Sequence, residues 1–430
     1  MRGRLLAERP AGMAMREAHG HLGMLGESLR QPSLQGCASV GECLERLREA
    51  ASGVGPGGWL LVRGARTEGW AERRWPTLAE LDGATRSVPT VVMSFDHHTA
   101  VANSAALAGA GLRAGVPVPP NGLVCADGMG TATGVLMEQA AVVAWGAAPE
   151  VGFDERVEQV RAGAAHLAGL GFVEVHDLHT PEWMGPALAV LEDRGELPLR
   201  VRLYPAFDRI EAEAARAAEY ERGGAGLVSL AGGKLFADGT LNSQTALVLA
   251  PYAGGRNHGT AMHTHGEIVR AIERCDAVGK HLAVHAIGDG AVRLVLDAFE
   301  QARPRTPGGR IEHCELVDGA DVGRFKRLGV VCSVQPCHLL ADVEVLKRTL
   351  PHALQRVLPL RDLLASGLEP GDAERGLVFG SDVPIVRADP EDSVRAAVER
   401  RRPGMAADEA INASQAISVE QAWRCFACTG

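Results

Sequence analysis

The chain has 430 residues, 46% of them hydrophobic, so it is long enough for one large domain or two ordinary ones with a buried core. Its 44 Lys and Arg residues are outnumbered by 53 Asp and Glu residues, and the net charge of −9 argues against nucleic acid as the main ligand. The acidic balance favours small or neutral partners, and no run approaches the roughly 18 apolar residues that a membrane-spanning helix requires.

The amino-terminal segment lacks the features of a secretion signal. Residues 1–12 contain arginines but no apolar stretch with a cleavage site, so we expect a soluble, cytoplasmic protein. The nine cysteines are an odd set, and we expect them to be mainly reduced core residues. Cys425 and Cys428 have CxxC spacing in an apolar terminal helix, but no second CxxC pair accompanies them, and a redox or metal role is the less favoured interpretation.

The first predicted strand is the short segment MAMREAH, which ends at His19. The interval that follows, residues 22–150, contains two strand candidates, WLLVRG and PTVVMSF, and helices near residues 40–51 and 100–110. From about residue 151, short β-branched runs alternate with amphipathic helices, a pattern typical of βα units in a parallel sheet.

Seven strand-like runs occur in this second part of the chain. They are FVEVHD (172–177), RVRLYPA (around 201–206), GGKLFADG (232–239), HLAVHA (281–286), RIEHC (310–314), VVCSVQP (330–336) and LVFGSD (377–382). Together with the first strand they make eight, the number that closes a (β/α)8 barrel. The sequence therefore predicts an α/β fold of the TIM-barrel type. Residues 1–21 would form the first strand, 22–150 an insertion over the barrel mouth, and 151–430 the remainder.

Three helix starts are predicted from capping patterns. Asp154 is expected to cap a helix that runs to Leu170, and Asp289 is expected to cap another. Thr264 with Glu267 three residues later forms a capping-box pattern.

Polar side chains stand at the predicted strand ends, where barrel enzymes place their catalytic groups. They are His19, His21, His176, Asp177, Lys234, His285, His313 and Asp382. Taken singly, these residues can be explained by structural roles. HxH pairs are common, a histidine after an apolar run is often a buried residue hydrogen-bonded to the backbone, and Asp382 could cap a helix. Lys234 is harder to explain, because a buried ammonium without a partner is costly.

The joint pattern, HxH on strand one, Lys on four, His on five and six, and Asp on eight, resembles the binuclear metal site of the amidohydrolase superfamily. The sequence motifs of the chain are similar to those of the YtcJ-like branch, which includes enzymes of the N-substituted formamide deformylase type. The motifs that carry the resemblance are EAHGHL, DHHTAVANSAAL, DGMGTATGVLMEQA, KLFADGTLNSQTA, VHAIGDGAVRLVLDAFE, RIEHCELV, CSVQPCHLLAD and GSDVP. They extend over nearly the whole chain.

The resemblance implies a metal-dependent barrel hydrolase that cleaves a non-peptide, amide-like C–N bond with metal-activated water. His19, His21 and Asp382 would hold the more buried metal, and His285 and His313 the second. Carboxylation of Lys234 by CO2 would turn its ammonium into a carbamate that bridges both ions. The resemblance leaves open whether one ion or two are bound, and zinc is the expected metal because His and carboxylate ligands suit it. Asp382 would take the proton from the water and return it to the departing nitrogen.

Further candidates for substrate binding or for support of the ligands follow from the same resemblance. His98 and Asn103 match family positions that face the site, and Gln335 and His338 follow strand seven. Asp238 could orient a ligand imidazole or simply form an Asp-Gly turn, and the residues leave both interpretations open.

The chain departs from the family pattern at both ends. Relatives carry a β-sandwich built from segments before the HxH strand and after the last helix, whereas only 18 residues precede His19. We expect either a fragment or a barrel whose exposed face is covered by a partner subunit, for example in a homodimer. A catalytically silent metal-binding or scaffold protein is the alternative function, and a deaminase of a cyclic amidine is disfavoured because such single-metal sites do not need the strand-four lysine.

Overall fold

The computed structural model describes residues 9–94, 99–114, 116–118, 122–224 and 226–428. The chain divides into two compact units. One comprises Met1–Gly26 together with Arg156–Gly430, and the other is the interval Glu27–Glu155. Among the described helices, none combines the length and the hydropathy needed to cross a bilayer.

The described part of the chain begins with β1 (Met15–Gly20), whose residues are all buried, and continues into α1 (Leu22–Arg30). The described residues of the interval 27–155 then form a six-stranded sheet in the order β2-β3-β4-β7-β6-β5. Its strands are β2 (Leu60–Ala65), β3 (Thr90–Ser94), β4 (Thr99–Ala102), β5 (Pro117–Val118), β6 (Gly122–Ala126) and β7 (Ala132–Met137). The accompanying helices are α2 (Val40–Ser52), α3 (Leu78–Thr85), α4 (Ser104–Gly109) and α5 (Gln139–Gly146).

The sheet of this interval has apolar residues on both faces. Val91 and Val92 are neighbours in β3, yet they belong to separate hydrophobic clusters, because successive side chains of a strand point to opposite faces. The prediction of a helix near 100–110 is wrong in its first part. Residues Thr99–Ala102 pair antiparallel with β3 and β7, and the helix starts only after Asn103.

The first unit is an eight-stranded parallel barrel in the described residues, which confirms the predicted TIM-type fold. β1, β8 and β9 follow one another in one sheet, β11 to β15 follow one another in a second, and bridges Ala206–Lys234 and Gly20–Val383 link the two into a ring. β10 pairs with β9 beside the ring. The strands are β8 (Phe172–Thr180), β9 (Arg200–Pro205), β10 (Val228–Leu230), β11 (Gly232–Phe236), β12 (His281–Ala286), β13 (Arg310–His313), β14 (Val331–Val334) and β15 (Leu377–Phe379).

Helices follow the barrel strands and bury apolar faces against them. They are α6 (Phe153–Gly169), α7 (Met184–Asp193), α8 (Ile210–Arg216), α9 (His265–Ala277), α10 (Asp289–Ala302), α11 (Gly319–Leu328), α12 (Leu339–Thr349), α13 (Leu360–Ala365), α14 (Pro390–Glu399) and α15 (Val419–Arg424). The capping box of Thr264 and Glu267 at the start of α9 is confirmed.

Two other predicted caps are wrong. Asp154 lies inside the first turn of α6, which starts at Phe153. Asp289 is the first residue of α10 rather than its cap, because its carboxylate accepts the backbone N–H of Leu249 and a hydrogen bond from Arg356.

The cysteines are all free thiols. Most of them are buried, as expected for core residues, while Cys125 and Cys428 are half-buried. The CxxC pair lies just after α15 rather than within it, because that helix ends at Arg424.

Candidate metal centre

The six predicted metal ligands lie at or just beyond the carboxyl ends of barrel strands. They are His19 and His21 at the end of β1, Lys234 in β11, His285 in β12, His313 at the end of β13 and Asp382 after β15. Because parallel strands in a ring share one rim at their carboxyl ends, these side chains converge there. The backbone N–H of Asp382 also donates to the carbonyl of His19 at 2.7 Å, which ties the last strand segment to the first.

His19, His21 and Asp382 are in direct contact. Asp382 Oδ1 lies 2.9 Å from His21 Nε2 and 3.4 Å from His19 Nε2. His19, His313 and Asp382 each offer one ligand atom within 4.8 Å of the other two. The structure therefore brings these four residues into one cluster that could hold a metal ion.

His285 and Lys234 complete the cluster. The ring centroids of His285 and His313 are 4.4 Å apart, and those of His19 and His313 are 4.8 Å apart. Lys234 Nζ lies 5.0 Å from the centre of the Phe236 ring, which is 5.2 Å from that of His285. The positive charge of Lys234 also acts on the pKa of each of the four histidines, so the lysine lies among them.

Burial lowers the pKa of three of the four imidazoles; the pKa of His21 is raised instead, because its hydrogen bond to Asp382 and the charge of that carboxylate outweigh burial. Burial lowers the pKa of His19 to about 4 and, together with the charge of Lys234, that of His285 to about 3. The pKa of His313 falls well below its ordinary value because of burial and the proximity of His285. At neutral pH these three rings are therefore uncharged, which is the form of histidine that binds metals.

Asp382 is a carboxylate under the same conditions. Its burial would raise the pKa, but the interactions with His19 and His21 outweigh that effect and hold the pKa below the usual range. Asp382 has φ 65°, in the left-handed region that places a side chain off the normal strand alternation. It therefore turns toward the histidines instead of capping a helix, and α14 begins only at Pro390.

The cluster fits a divalent cation. Lys234 Nζ and His313 Nδ1 are buried and have no hydrogen-bond partner among the described residues, so the fold leaves two polar groups unsatisfied here. Uncharged imidazole nitrogens and a carboxylate oxygen are the donors that proteins use for such ions.

Hydrogen bonds from the surrounding barrel orient the candidate ligands. His21 Nδ1 lies 2.7 Å from the carbonyl of Leu178, and His285 Nε2 lies 3.2 Å from that of Gly239. Asp238 Oδ1 is 3.5 Å from His285 Nε2. The same carboxylate accepts backbone N–H groups of Leu247, Ile287 and Gly288, so Asp238 joins the loops after β11 and β12 beside His285.

Gln335 and His338 follow β14 as predicted. His338 Nε2 is 3.2 Å from the carbonyl of Ser381 and 3.9 Å from Asp382 Oδ2. Although burial alone would lower it, the hydrogen bond to Glu315 and the charge of Asp382 raise the pKa of His338 to about 9. Gln335 is 1% exposed, and neither the nitrogen nor the oxygen of its side-chain amide has a hydrogen-bond partner in the described chain.

The two candidates from the interval 27–155 have different outcomes. His98 lies outside the described residues. Asn103 caps α4: its Oδ1 accepts the N–H groups of Thr90 and Ala106, and its Nδ2 donates to Thr85 and Val88. The side chain of Asn103 is thus engaged inside its own unit, and a contact with substrate stays a prediction.

Sequence reasoning did not single out Glu17, Arg310 or Glu312. Glu17 Oε1 accepts the backbone N–H groups of His19 and Ser381, and burial raises its pKa to about 7. Its position two residues before His19, on the same face of β1, was the available signal. The same reasoning does not identify Glu312, because strand alternation would place its side chain on the face opposite to that of its neighbour His313.

Known proteins resemble this chain over most of its length. The model of the Amidohydrolase family matches residues 14–427. A protein of Bacillus subtilis (strain 168) with the provisional name of amidohydrolase YtcJ is 26% identical over 426 residues, covering 95% of this chain and 77% of its own. The N-substituted formamide deformylase of Arthrobacter pascens is 25% identical, covering 93% and 76%. The crystal structure of an uncharacterized metal-dependent hydrolase from Pyrococcus horikoshii OT3 is 28% identical with a TM-score of 0.78, covering 96% and 79%.

Proposed function

The chain belongs to the Amidohydrolase family, and from this premise we propose that it is a metal-dependent hydrolase that cleaves an amide-like C–N bond of a small molecule. The observation that carries the proposal is the convergence of six ligand-type side chains from five strand ends on one barrel rim. The names of the relatives, a formamide deformylase and a metal-dependent hydrolase, support the same reaction class.

We propose zinc as the metal, because imidazole and carboxylate donors suit it. His19, His21, His285, His313 and Asp382 would hold it, with Lys234 between them. When bound, such an ion activates water and polarises a substrate carbonyl. Whether the site would hold one ion or two depends on the state of Lys234, because only a two-ion site needs a group that both ions share.

Lys234 is suited to carboxylation. Burial lowers its pKa to about 8, so its amine is more easily deprotonated than that of an exposed lysine. A neutral amine attacks CO2 through its lone pair, forms the N–C bond and releases one proton to solvent, which leaves a carbamate. Its anionic oxygens would replace the unpartnered ammonium of Lys234.

Proton transfer would be the task of Asp382. Its low pKa keeps the carboxylate ionised at neutral pH, ready to accept a proton from the nucleophilic water at the oxygen that faces the two histidines. The same residue returns the proton to the departing nitrogen. His338, 3.9 Å from the other oxygen, carries a positive charge that holds Asp382 in place.

Gln335 is the candidate for recognition of the substrate. Ser333 Oγ accepts a hydrogen bond from Arg310 inside the barrel, and Gln335 stands two residues later, just beyond the end of β14, so strand alternation continued by one residue would direct it to the same side. Its amide has a free donor and a free acceptor and can pair with an amide group, which has the complementary pair. This pairing favours N-acyl and N-formyl amines as substrates.

The test is metal analysis of protein purified without chelator, combined with turnover assays on N-acyl and N-formyl amines. We expect bound zinc, loss of the metal in Lys234→Ala, and retention of it in Lys326→Ala, which removes an exposed lysine. Asp382→Asn should show no turnover. A parent protein without bound Zn, Mn or Fe would contradict the proposal, and a metal-containing parent without turnover would favour a silent metal-binding protein.

A further inference from the structure

Beneath the metal centre, the barrel interior contains a charged layer centred on Arg310. This guanidinium is fully buried and donates to the carbonyl of Ala18 at 2.7 Å and to Ser333 Oγ at 2.8 Å. It also lies 2.6 Å from His176 Nδ1 and forms an ion pair with Glu312. A single side chain of β13 thereby contacts β1, β8 and β14, and on β1 it contacts the residue immediately before His19.

Glu312 connects this layer to the candidate ligands. Its Oε2 lies 2.7 Å from His19 Nδ1, and both side chains are almost completely buried. A carboxylate accepts hydrogen bonds, so His19 donates its Nδ1 proton to it. The other nitrogen, Nε2, then carries the lone pair, and it is the nitrogen that lies 3.4 Å from Asp382.

The backbone explains why Glu312 and His313 can act at the same place. Neighbouring strand residues normally point to opposite faces. His313 has φ 73° and Cys314 has φ 44°, so the strand conformation ends at this point and His313 leaves the alternation. Glu312 stays on the inner face of β13 below the rim, while His313 contributes to the cluster above it.

We propose that Glu312, held in place by Arg310, is a positioning residue that fixes the tautomer and the ring orientation of His19 for metal binding. The inference rests on the proposed function, since it presumes that His19 binds a metal. Carboxylates that accept the second N–H of a ligating histidine raise its basicity and fix its geometry.

Stability alone is a weak explanation for this layer. Barrel interiors are usually filled with branched apolar side chains, and a buried ion pair contributes little net stability compared with apolar residues of similar volume. A role in orienting His19 explains the position of the Arg310–Glu312 pair better. The pair lies directly beneath His19, and Arg310 also contacts the backbone of Ala18, the residue before His19.

The experiment measures zinc affinity by competition with a chromophoric chelator in the parent, Glu312→Gln and Glu312→Ala. Loss of the supporting carboxylate in Glu312→Ala should weaken binding about 10- to 100-fold. Glu312→Gln should lose less, because its amide oxygen still accepts from Nδ1–H. The matched control is Glu174→Gln: Glu174 is similarly buried in the same interior, pairs with Arg16 and lies 3.2 Å from His176 Nε2, but makes no hydrogen bond or ion pair to a candidate ligand in the described part of the chain.

Thermal melting of the metal-free proteins separates positioning from folding. We expect Glu312→Gln and Glu174→Gln to lose similar thermal stability, while only the Glu312 variants lose zinc affinity. Parental zinc affinity in both Glu312 variants, or an equal loss in Glu174→Gln, would overturn the inference. If Glu312→Ala fails to fold, the isosteric Gln variant decides alone. A parent that binds no zinc would instead refute the proposed function, and this inference with it.

Discussion

At the scale of single residues, Lys234 is the side chain whose burial is hardest to explain by the stability of the fold. Lys234 is 2% exposed, its ammonium has no hydrogen-bond partner in the described chain, and burial lowers its pKa to about 8. A buried polar group without a partner costs free energy that an apolar side chain of the same shape would not. Lys234 should therefore weaken the folded protein when no metal is bound.

We accordingly expect Lys234→Met to raise the free energy of unfolding of the metal-free protein by about 1–3 kcal/mol, since the variant removes an unsatisfied buried group. The same variant should lose the bound metal. Urea unfolding in the presence of a chelator gives the first quantity, and metal analysis of protein purified without chelator gives the second.

Lys280→Met is the matched control for this prediction. Lys280 Nζ donates to the carbonyl of Leu230 at 2.6 Å, so its replacement should lower stability and leave the metal content unchanged. A decrease in the stability of Lys234→Met comparable to that of Lys280→Met would show that the Lys234 amine is satisfied in the folded protein.

At the scale of elements, the close approach of β1 to the segment after β15 sets the geometry of the centre. Gly380 follows β15, and a Cβ atom placed on it would lie 2.5 Å from the backbone nitrogen of His19 and 2.7 Å from Glu17 Oε1. No side chain fits between the two strand ends without a shift of the backbone that carries His19.

Gly380→Ala should therefore push β1 away from the end of β15. Overpacking of this kind costs about 1–3 kcal/mol, and the displacement of His19 should also weaken zinc binding. Gly319→Ala at the start of α11 is the control, because a Cβ there meets nothing within 4 Å. Urea unfolding and chelator competition measure the two effects, and parental zinc affinity in Gly380→Ala would contradict the proposed link.

The eight barrel strands were predictable from the sequence, and so was the position of their polar ends on one rim. β-branched runs separated by capped amphipathic helices give the eight strands, because burial on both faces selects such residues in a parallel barrel. The capping box at Thr264 was predictable because both partners lie within one turn. Asp289 was not, since its true partners, Leu249 and Arg356, are distant in sequence.

The supporting residues of the site were beyond sequence reasoning for the same kind of reason. The contact between Glu312 and His19 joins residues 293 positions apart, and it depends on the barrel radius and on the positive φ of His313. Neither quantity has a local signature. The six candidate ligands were accessible only because their joint order along the strands resembles a family.

At the scale of the whole molecule, the two units have separate hydrophobic cores. The large cluster of the barrel unit includes residues from Met15 to Phe426, whereas two smaller clusters, containing Val62 and Leu136, belong to the interval 27–155. All six candidate ligands are in the barrel unit. Metal binding should therefore act on the two units unequally.

We expect removal of the metal to loosen the strand ends of the barrel and to leave the sheet of the interval 27–155 unchanged. A ligand that binds only the folded state adds RT ln(1 + [L]/Kd) to its stability, about 4.1 kcal/mol at a thousand times Kd. Because the ligands are distributed around the barrel, from β1 through β12 and β13 to Asp382, this gain requires those strands to be folded together.

Hydrogen exchange followed by mass spectrometry, with and without chelator, should show faster exchange after chelation in peptides from β12 and β13 and constant exchange in peptides from β3 and β7. Asp382→Asn, which lacks a ligand, should respond little to the chelator. An equal increase in both units would mean that the metal stabilises the chain as one cooperative body.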